Sequence, residues 1–591
     1  MTDHRPLLIV LTAGIAALAL GTARAPLWDE DEPRFAVIAR TMVETGDWVV
    51  PVFNGTLAVD KPVLMHWAMA ACMSVFGVNE FACRLPSMIA ALATALALLR
   101  LGTRLFDSPT GVVAALAWLG SLLVGIEAHA ATPDAILVAL CTWATVLAVE
   151  VVAGRATVQP PGAAADPLPR LTVARAAGIG LLLGLAVVCK GPIGFVGPLA
   201  VIVPWAWWVA ADRRLTALPT GPWLRRLAAV TLPAIGDVIR GLRPIVLTLG
   251  MLVAAAPWYV AVWQRTDGVW IEGFFFVHNV GRFMAPMERH SGSVLFHPLT
   301  MLVLFYPWSC FLPLAVVLAA WRTWKRTVPV ATVHALGLML IWLAVWVGGF
   351  SAAATKLPNY ILPAYPAAAV LVAVVAVEAT RRATAAGRWP HPRWAATGTF
   401  ALAFGGVATI ATIVVAARYG LSGVEPAALV GLVPLGGAAG CWWLAKRPGA
   451  ALACFTGTAL VYTALAVGPA AGWIARANAV PSFVSGLRAD AAEPVRLGTY
   501  TFSSPNVVFY ATGHVNQIPV DDAAAAARFL ATGPDAVLLV PAAKLPAVEA
   551  VLPAGYGEVG RTRPMFRAED VVAIGRIAPV DRTAGGGEVA R

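Results

Sequence analysis

Trp28-Asp29-Glu30-Asp31-Glu32-Pro33-Arg34-Phe35 sets four acids in a row just after an apolar run, residues 7–22 (LLIVLTAGIAALALGT). A carboxylate in hydrocarbon costs about 3 kcal/mol or more, so such a cluster must face water or a polar chamber. The polar stretch continues through Gly46-Asp47-Trp48, Asn54-Gly55 and Asp60-Lys61-Pro62 to His66-Trp67. Apolar runs take over again beyond it. The acids therefore read as a loop between membrane segments, with the rest of the chain built around it.

Composition supports this. Of 591 residues, 59% are hydrophobic and only 13% charged, and the mean hydropathy is +0.74. Soluble domains carry about twice that share of charge. The net charge of +11 does not point to nucleic acid, because the basic residues lie in short loops between apolar runs, as membrane topology requires. The seven cysteines form no CxxC pair and lie in or beside apolar runs, so they read as small buried hydrophobes.

Residues 7–22 follow His4-Arg5. Ala23-Arg24-Ala25 resembles a signal-peptidase site, but a retained first helix is the expectation. Residues 33–45 open with acids and a proline and should form an interfacial helix with Phe35, Ile38, Ala39 and Met42 on one face. Residues 63–77 are too short to span and predict a second interfacial or re-entrant helix. Spans are expected at 84–106, 110–127, 133–153, 174–190, 192–211, 244–263, 298–320, 331–350, 358–379, 394–417, 425–445 and 450–470, about thirteen with the first helix. With the N-terminus inside, every inner loop carries arginine or lysine, from Arg100 and Arg104 to Lys446 and Arg447. The outer side then collects the loop 23–83, Glu127-Ala128-His129, Asp134, Lys190-Gly191-Pro192, the loop 264–297, and Lys356 to Tyr360. Residues 1–473 thus form a transmembrane domain. Residues 474–580 read as a small α/β domain, outside by parity, with strands at 495–502 and 535–541 and a helix at 522–531. The tail 581–591 is expected to be disordered, and 156–170 is a proline- and alanine-rich inner loop.

Asp31 and Asp134 fall at the same expected depth and could share one cavity. There a carboxylate could act as base, or face the positive charge that develops on a sugar during glycosyl transfer. Each acid would equally serve as a helix cap or first-turn acid. Arg34, Lys61, Arg282 and Lys356 lie at the outer boundary, where topology statistics disfavour cations, so each needs a partner. A phosphate suits them, and Tyr360 adds a neutral hydrogen bond. Snorkelling or pairing with the acids is the plainer reading. His278 and Asp60 could bind a divalent metal, although two candidates without motif spacing favour a structural role. Trp48, Trp67, Trp258 and Trp270 read as an interfacial aromatic belt rather than sugar platforms. No P-loop or dinucleotide fingerprint is present, so no nucleotide cofactor is expected.

The stretch Asp31-Glu32-Pro33-Arg34-Phe35, Gly46-Asp47-Trp48-Val49-Val50-Pro51, Asn54-Gly55 and Lys61-Pro62-Val63-Leu64-Met65-His66-Trp67 resembles the first outer loop of bacterial polyprenyl-phosphate-sugar glycosyltransferases. That group includes the aminoarabinose-to-lipid A transferases and protein O-mannosyltransferase relatives. The resemblance continues through Arg84-Leu85-Pro86-Ser87, Thr132-Pro133-Asp134, Lys190-Gly191-Pro192, Phe275-Phe276-Val277-His278-Asn279 with Arg282-Phe283, Tyr306-Pro307-Trp308-Ser309 and Lys356-Leu357-Pro358-Asn359-Tyr360-Ile361-Leu362-Pro363, over about residues 5–380. It implies an all-α polytopic membrane protein of the GT-C type, with interfacial helices and a small C-terminal α/β periplasmic domain. It also implies that Asp31 is the principal catalytic-site acid and Asp134 its partner. Arg34, Lys61 and Tyr360 would hold the carrier phosphate, with Lys356 a further phosphate candidate. Glu32, Asp60, His278 and Arg282 would be additional cavity residues, Asp60 and His278 as a metal-linked pair. The family usually has Glu where this chain has Asp60, and often Lys-Pro-Pro where it has Lys61-Pro62-Val63.

The expected function is transfer of a sugar from undecaprenyl phosphate to a periplasmic-side acceptor at the bacterial inner membrane. The acceptor would be a lipid A-type glycolipid or, in a mannosyltransferase-like alternative, a protein. A transporter or flippase for lipid-linked sugars is a rival reading, but it should show paired repeats or broken helices in matching halves. A lipid-sugar sensor is another.

Overall fold

The computed structural model describes residues 3–20, 25–28, 31–153, 168–218, 223–281, 292–387, 389, 393–419, 421, 423–476, 478–489, 495–501, 504–519, 522–564 and 569–577. Arg282, most of Ala23-Arg24-Ala25 and the tail 581–591 lie outside this set.

The chain is a helical multi-span membrane protein carrying a small C-terminal sheet. Among the described residues ten helices are long and apolar enough to cross a bilayer, or eleven if Ser108–Leu119 and Leu122–Ala128, bent by 65°, make one span. Two of the thirteen expected spans are cut short. The first, Arg5–Ala19, has 15 described residues. The expected span 298–320 is broken into Phe296–Leu304 and Leu312–Lys325 around a 3-10 turn, Trp308–Cys310. Pro307 has no N–H to continue the first of these helices and disfavours helical backbone before it. The inner loop also holds an unexpected helix, Trp223–Leu242, which buries Val230, Ala234, Val238 and Leu242 at four-residue steps.

Both interfacial helices form, as Asp31–Thr45 and Leu64–Phe76. Phe35, Ile38, Ala39 and Met42 are buried together with Met65, Met69 and Met73. The hairpin β1 (Val52–Phe53) and β2 (Thr56–Leu57) joins the two helices, and Asn54 and Gly55 take the left-handed backbone of its turn. The tryptophans differ from the expectation of a belt. Trp258 and Trp270 are buried and donate their indole N–H to the carbonyls of Val49 (2.9 Å) and Ala58 (2.8 Å). Trp67 donates to Trp48 O at 2.6 Å. A buried indole needs an acceptor, and here the acceptors belong to the loop, so the rings pin it.

Ion pairs sort the helix ends. Arg100–Glu150, Arg214–Asp237, Arg322–Glu378, Arg326–Asp212 and Arg381–Asp107 join residues of the expected inner loops or the helix ends beside them. Arg34–Asp60, Arg84–Glu32, Lys190–Asp134 and Arg265–Asp47 join expected outer ones. Among the described residues none of these pairs crosses between the two sets. The loop charges and the folded contacts therefore agree on which ends lie together.

The C-terminal region contains β3 (Arg496–Tyr500), β4 (Asn516–Ile518), β5 (Ala536–Pro541), β6 (Tyr556–Thr562) and β7 (Val571–Arg576), in the order 4-3-5-7-6. β4, β3 and β5 are parallel, while β7 and β6 add antiparallel. The central strands β5 and β7 are almost wholly buried and apolar, as a covered sheet requires. This module packs on the segment that carries the helices Asp31–Thr45 and Leu64–Phe76, and Val484, Val507, Val508 and Phe509 share one core with Phe35 and Ile38.

Candidate functional site

Glu32 is the anchor of the acidic stretch. It is 4% exposed and meets Arg84, also 4% exposed, through Nε–Oε1 at 3.0 Å and Nη2–Oε2 at 2.8 Å. The same carboxylate accepts the N–H groups of Trp28 (2.5 Å) and Ala131 (2.7 Å). Arg84 also donates to the carbonyls of Ala25 (2.8 Å) and Pro26 (2.9 Å). A buried ion pair holds only if its other lone pairs and protons are well matched, and here the Glu32 carboxylate accepts four hydrogen bonds while Arg84 gives four. The pair also ties the chain around Asp31 to Ala131, three residues before Asp134. Ser87 Oγ donates to Thr132 O at 3.3 Å on the same wall.

Asp134 opens the helix Asp134–Ala153, and Lys190 closes the helix Val173–Lys190. An acid at an N-terminus and a base at a C-terminus both suit the helix dipole. The two groups meet at 2.5 Å, and Asn359 donates to the other oxygen of Asp134 at 3.3 Å. Gly191, at φ +80°, takes the left-handed conformation that lets the chain turn directly into Ile193–Ala217. Lys190 Nζ also sits 5.4 Å from the Tyr360 ring centre.

Lys61, Asp60, Asp134, Lys190, Tyr360 and His278 line one cavity of about 200 Å³, walled on its apolar side by Phe274, Trp346 and Phe350. Asp31 lies elsewhere: with Glu32, Arg84, Glu127, His129 and Asn359 it lines a second cavity of about 460 Å³, whose apolar wall includes Leu122, Ile126, Val467 and Ile474. The cavities adjoin, because Asn359 faces the larger one and hydrogen-bonds Asp134, which faces the smaller. Asp31 and Asp134, expected in one chamber, thus stand on either side of a shared wall.

Arg34 pairs with Asp60 at 3.2 Å and lies over the Phe53 ring, 5.4 Å from its centre. Burial pushes the Asp60 carboxyl up, but the charges of Arg34 and Lys61 outweigh it and hold the group below the usual carboxylate range. Asp60 is therefore an anion in place. Lys61 Nζ donates to Asp60 O at 3.1 Å. Lys356 corrects the expectation of a phosphate ligand. It is 5% exposed and donates to the carbonyls of Phe350 (3.3 Å), Ser351 (2.7 Å) and Ala353, so three acceptors match its three protons. It braces the turn before Tyr360.

The fit to a metal is incomplete. Asp60 and His278 face the same cavity, but Asp60 is engaged by Arg34, and catalytic zinc sites use about three protein ligands. Among the described residues no three His, Cys, Asp or Glu side chains gather as a metal site.

Lys190, Glu127, Arg84 and Asn359 were not singled out as site residues from sequence. Lys190 carried a usable signal, as a cation ending an apolar run on the side where topology statistics disfavour it. Glu127 ends its run likewise, 8% exposed, accepting from Thr132 Oγ1 at 3.0 Å. Asn359 offered no charge or periodicity to mark it.

Comparison with known proteins bears on this arrangement. The profile of the dolichyl-phosphate-mannose-protein mannosyltransferase family matches residues 60–162. An undecaprenyl phosphate-alpha-4-amino-4-deoxy-L-arabinose arabinosyl transferase of Aeromonas salmonicida is 31% identical over 356 residues, 60% of this chain and 56% of that protein. Its namesake from Erwinia tasmaniensis is 28% identical over 404 residues, 67% of this chain and 62% of that one. The chain thus spans a little over half the length of these relatives. The crystal structure of ArnT from Cupriavidus metallidurans bound to undecaprenyl phosphate superposes with a TM-score of 0.73 at 20% identity, covering 97% of this chain and 98% of that one. The apo Archaeoglobus fulgidus oligosaccharyltransferase gives 0.51 at 12% identity over 93% of this chain and 72% of that one. The fold is therefore the GT-C fold of membrane glycosyltransferases.

Proposed function

We propose that this chain, a relative of the undecaprenyl phosphate-aminoarabinose transferases and built on their fold, transfers a sugar from a polyprenyl phosphate to a membrane glycolipid of the lipid A type. One observation carries the reading: Lys61, Lys190 and Tyr360 converge on a 200 Å³ cavity that also holds the carboxylate of Asp134. Two ammonium groups and a phenol suit a phosphate monoester in size and charge.

In this mechanism the bond between the anomeric carbon and the phosphate oxygen breaks, and its electron pair leaves on the phosphate. Lys61, Lys190 and the Tyr360 hydroxyl meet the charge that develops there. Lys190 is pre-paired with Asp134, so the arriving phosphate competes for a cation already in position. An acceptor oxygen bonds to the anomeric carbon from the other side. Asp134, beside the phosphate cations, faces the oxocarbenium character of the sugar, and Asp31 lines the adjoining cavity from which the acceptor comes. An acceptor that is already a phosphate needs no strong base; a hydroxyl acceptor gives its proton to one of these carboxylates. The larger cavity, mostly apolar with a polar side at Asp31, Glu32, Arg84 and Glu127, suits a lipid-borne acceptor. The protein-acceptor alternative rests on the mannosyltransferase profile and is separated by offering both acceptors.

The reading places the protein in the bacterial inner membrane, with both cavities and the C-terminal module on the periplasmic side. That follows from the positive loops at the opposite ends of the helices. Purified protein given a labelled polyprenyl-phosphate sugar and lipid A should release free carrier lipid and label the acceptor. Lys61→Ala and Lys190→Met should each lower turnover by about a hundredfold or more. Carrier release at the wild-type rate in both variants removes the phosphate reading. Movement of intact donor across vesicles without cleavage identifies a transporter instead.

A further inference from the structure

Three side-chain contacts fasten the C-terminal module to the first outer loop, and all three fall on segments that carry site residues. Tyr510 Oη accepts the Leu27 N–H at 2.8 Å and donates to Glu80 Oε1 at 2.9 Å. Arg40, on the helix that begins at Asp31, donates to the carbonyls of Phe509 (2.8 Å) and Val508 (3.3 Å). Asn54, on the turn before Asp60 and Lys61, pairs both ways with Val515: Nδ2 to Val515 O at 2.8 Å and Val515 N to Oδ1 at 2.9 Å. Their partners on the module form one short stretch, residues 508–515, comprising the end of the helix Pro505–Ala511 and the turn into β4.

The hydrogen bonds of the acidic segment show what this stretch contributes. The carbonyls of Ala25 and Pro26 go to Arg84, and the N–H of Trp28 goes to Glu32. The N–H of Leu27 goes to the Tyr510 hydroxyl. Buried backbone donors need acceptors, and this one is supplied by a domain almost 500 residues away in sequence. Leu27 itself is 1% exposed.

We propose that the C-terminal module is a positioning brace for the site. In this role Tyr510 fixes the segment that delivers Asp31, and the Asn54–Val515 pair fixes the turn that delivers Asp60 and Lys61. The proposal rests on the transfer reaction above for its kinetic consequence, but not for its structural one. The two contacts hold different halves of the site. Loosening the Tyr510 contact misplaces an acid that acts in the transition state and lowers kcat. Loosening the Asn54 contact misplaces a phosphate ligand that both binds the donor and meets the leaving charge, so it raises donor KM and lowers kcat together.

Full-length protein in detergent tests this with Tyr510→Phe and Asn54→Gly. Glycine keeps the left-handed backbone found at Asn54, φ 48°, and removes only the side chain. Amide exchange of peptides covering 25–28 and 52–61 is read beside donor kinetics. Tyr510→Phe should speed exchange at 25–28 by about tenfold and lower kcat by about tenfold, with donor KM within about twofold. Asn54→Gly should speed exchange at 52–61, raise donor KM and lower kcat, each by several-fold, with thermal stability held. Arg561→Ala, at an exposed ion pair with Glu558 on the same module, should change neither. Unchanged exchange and kinetics in both site variants overturn the brace, as does an equal loss of kcat and KM that merely tracks thermal stability. If the wild type transfers no sugar, the transfer reading fails, and the exchange pattern alone still decides the brace. If Tyr510→Phe does not fold, Asn54→Gly decides it by the same two readouts.

Discussion

At the residue scale, two buried groups carry consequences that can be measured. Arg84 and Glu32 are each 4% exposed and neutralise one another. Removing one partner leaves an uncompensated buried charge, a loss of about 3–5 kcal/mol, whereas removing both costs much less. Arg84→Met should therefore abolish folded protein or drop its melting temperature sharply. The double variant Arg84→Met with Glu32→Gln should recover most of the loss in a thermal-shift measurement in detergent, and additive losses would show that the pair does not act as a unit. His66 is 1% exposed, stacked on Phe35 at 5.2 Å between ring centres. Burial drives its pKa from 6.5 down to about 4, against the opposing pull of Asp60. Its unfolded form takes up a proton below about 6.5 that the folded form refuses until about 4. Its contribution is complete above pH 6.5 and falls as pH drops through that window, by about 3 kcal/mol at the acid end. His66→Phe, which keeps the stack, should flatten the decline in denaturation midpoint between pH 7.5 and pH 5; an unchanged slope assigns the acid sensitivity to other groups. The legible and illegible residues also divide physically at this scale. Lys61, Asp134 and Tyr360 share a cavity, whereas Asp31, expected with them, lines the adjoining one and Arg34 lines neither. Lys356 met the same criterion, a cation at the outer boundary, yet its charge is met by three backbone carbonyls, a partner class that sequence does not display.

At the scale of elements, helix existence was legible and helix continuity was not. Hydropathy located the runs, but it is insensitive to a single broken turn, so 110–127 and 298–320 read as whole spans although each is interrupted. The helix Trp223–Leu242 was hidden for the opposite reason: its apolar residues repeat at four-residue steps while its mean polarity resembles a loop. The tightest helix contact was equally invisible. Val173–Lys190 and Pro244–Arg265 meet where a Cβ on Gly180 would fall 2.1 Å from Leu247 O, and one on Gly184 2.4 Å from Met251 O. Small residues four apart let two helices approach backbone to backbone, where dispersion replaces the hydrophobic effect as the source of cohesion. The obstructing atoms are carbonyl oxygens, which cannot rotate aside. Gly184→Val should therefore separate these helices and displace Lys190 from Asp134, lowering both thermal stability and donor affinity. A substitution at Gly178, where added carbon meets nothing within 4 Å, should leave both intact, and equal effects at the two glycines would show that close approach is not what matters.

At the scale of the whole molecule, the chain has two chemically distinct ends. One gathers the arginines of the loops together with Glu150, Asp107, Asp212, Asp237 and Glu378. The other gathers both cavities and the sheet module. The alternation of loop charge could be read from sequence because each loop reports its own side independently. The place of Lys190 beside Lys61 and Tyr360 could not, because it depends on which helices are neighbours. The sorting of ion pairs agrees with two separate ends, and the proposed topology has the arginine-rich end facing the cytoplasm, as the positive-inside rule expects. This assignment predicts labelling. In a variant with the native cysteines replaced, a thiol introduced at exposed Thr532 on the module should react with a membrane-impermeant maleimide in intact spheroplasts. A thiol at exposed Thr384, beside Arg381 and Arg382, should react only after permeabilisation. The reverse pattern would put the phosphate cavity on the cytoplasmic face, where the proposed acceptor glycolipid could not be met from the outer leaflet. Labelling of both sites in intact cells would mean that the two ends do not lie on opposite sides of the bilayer, and the separation that the ion pairs describe would then need another cause.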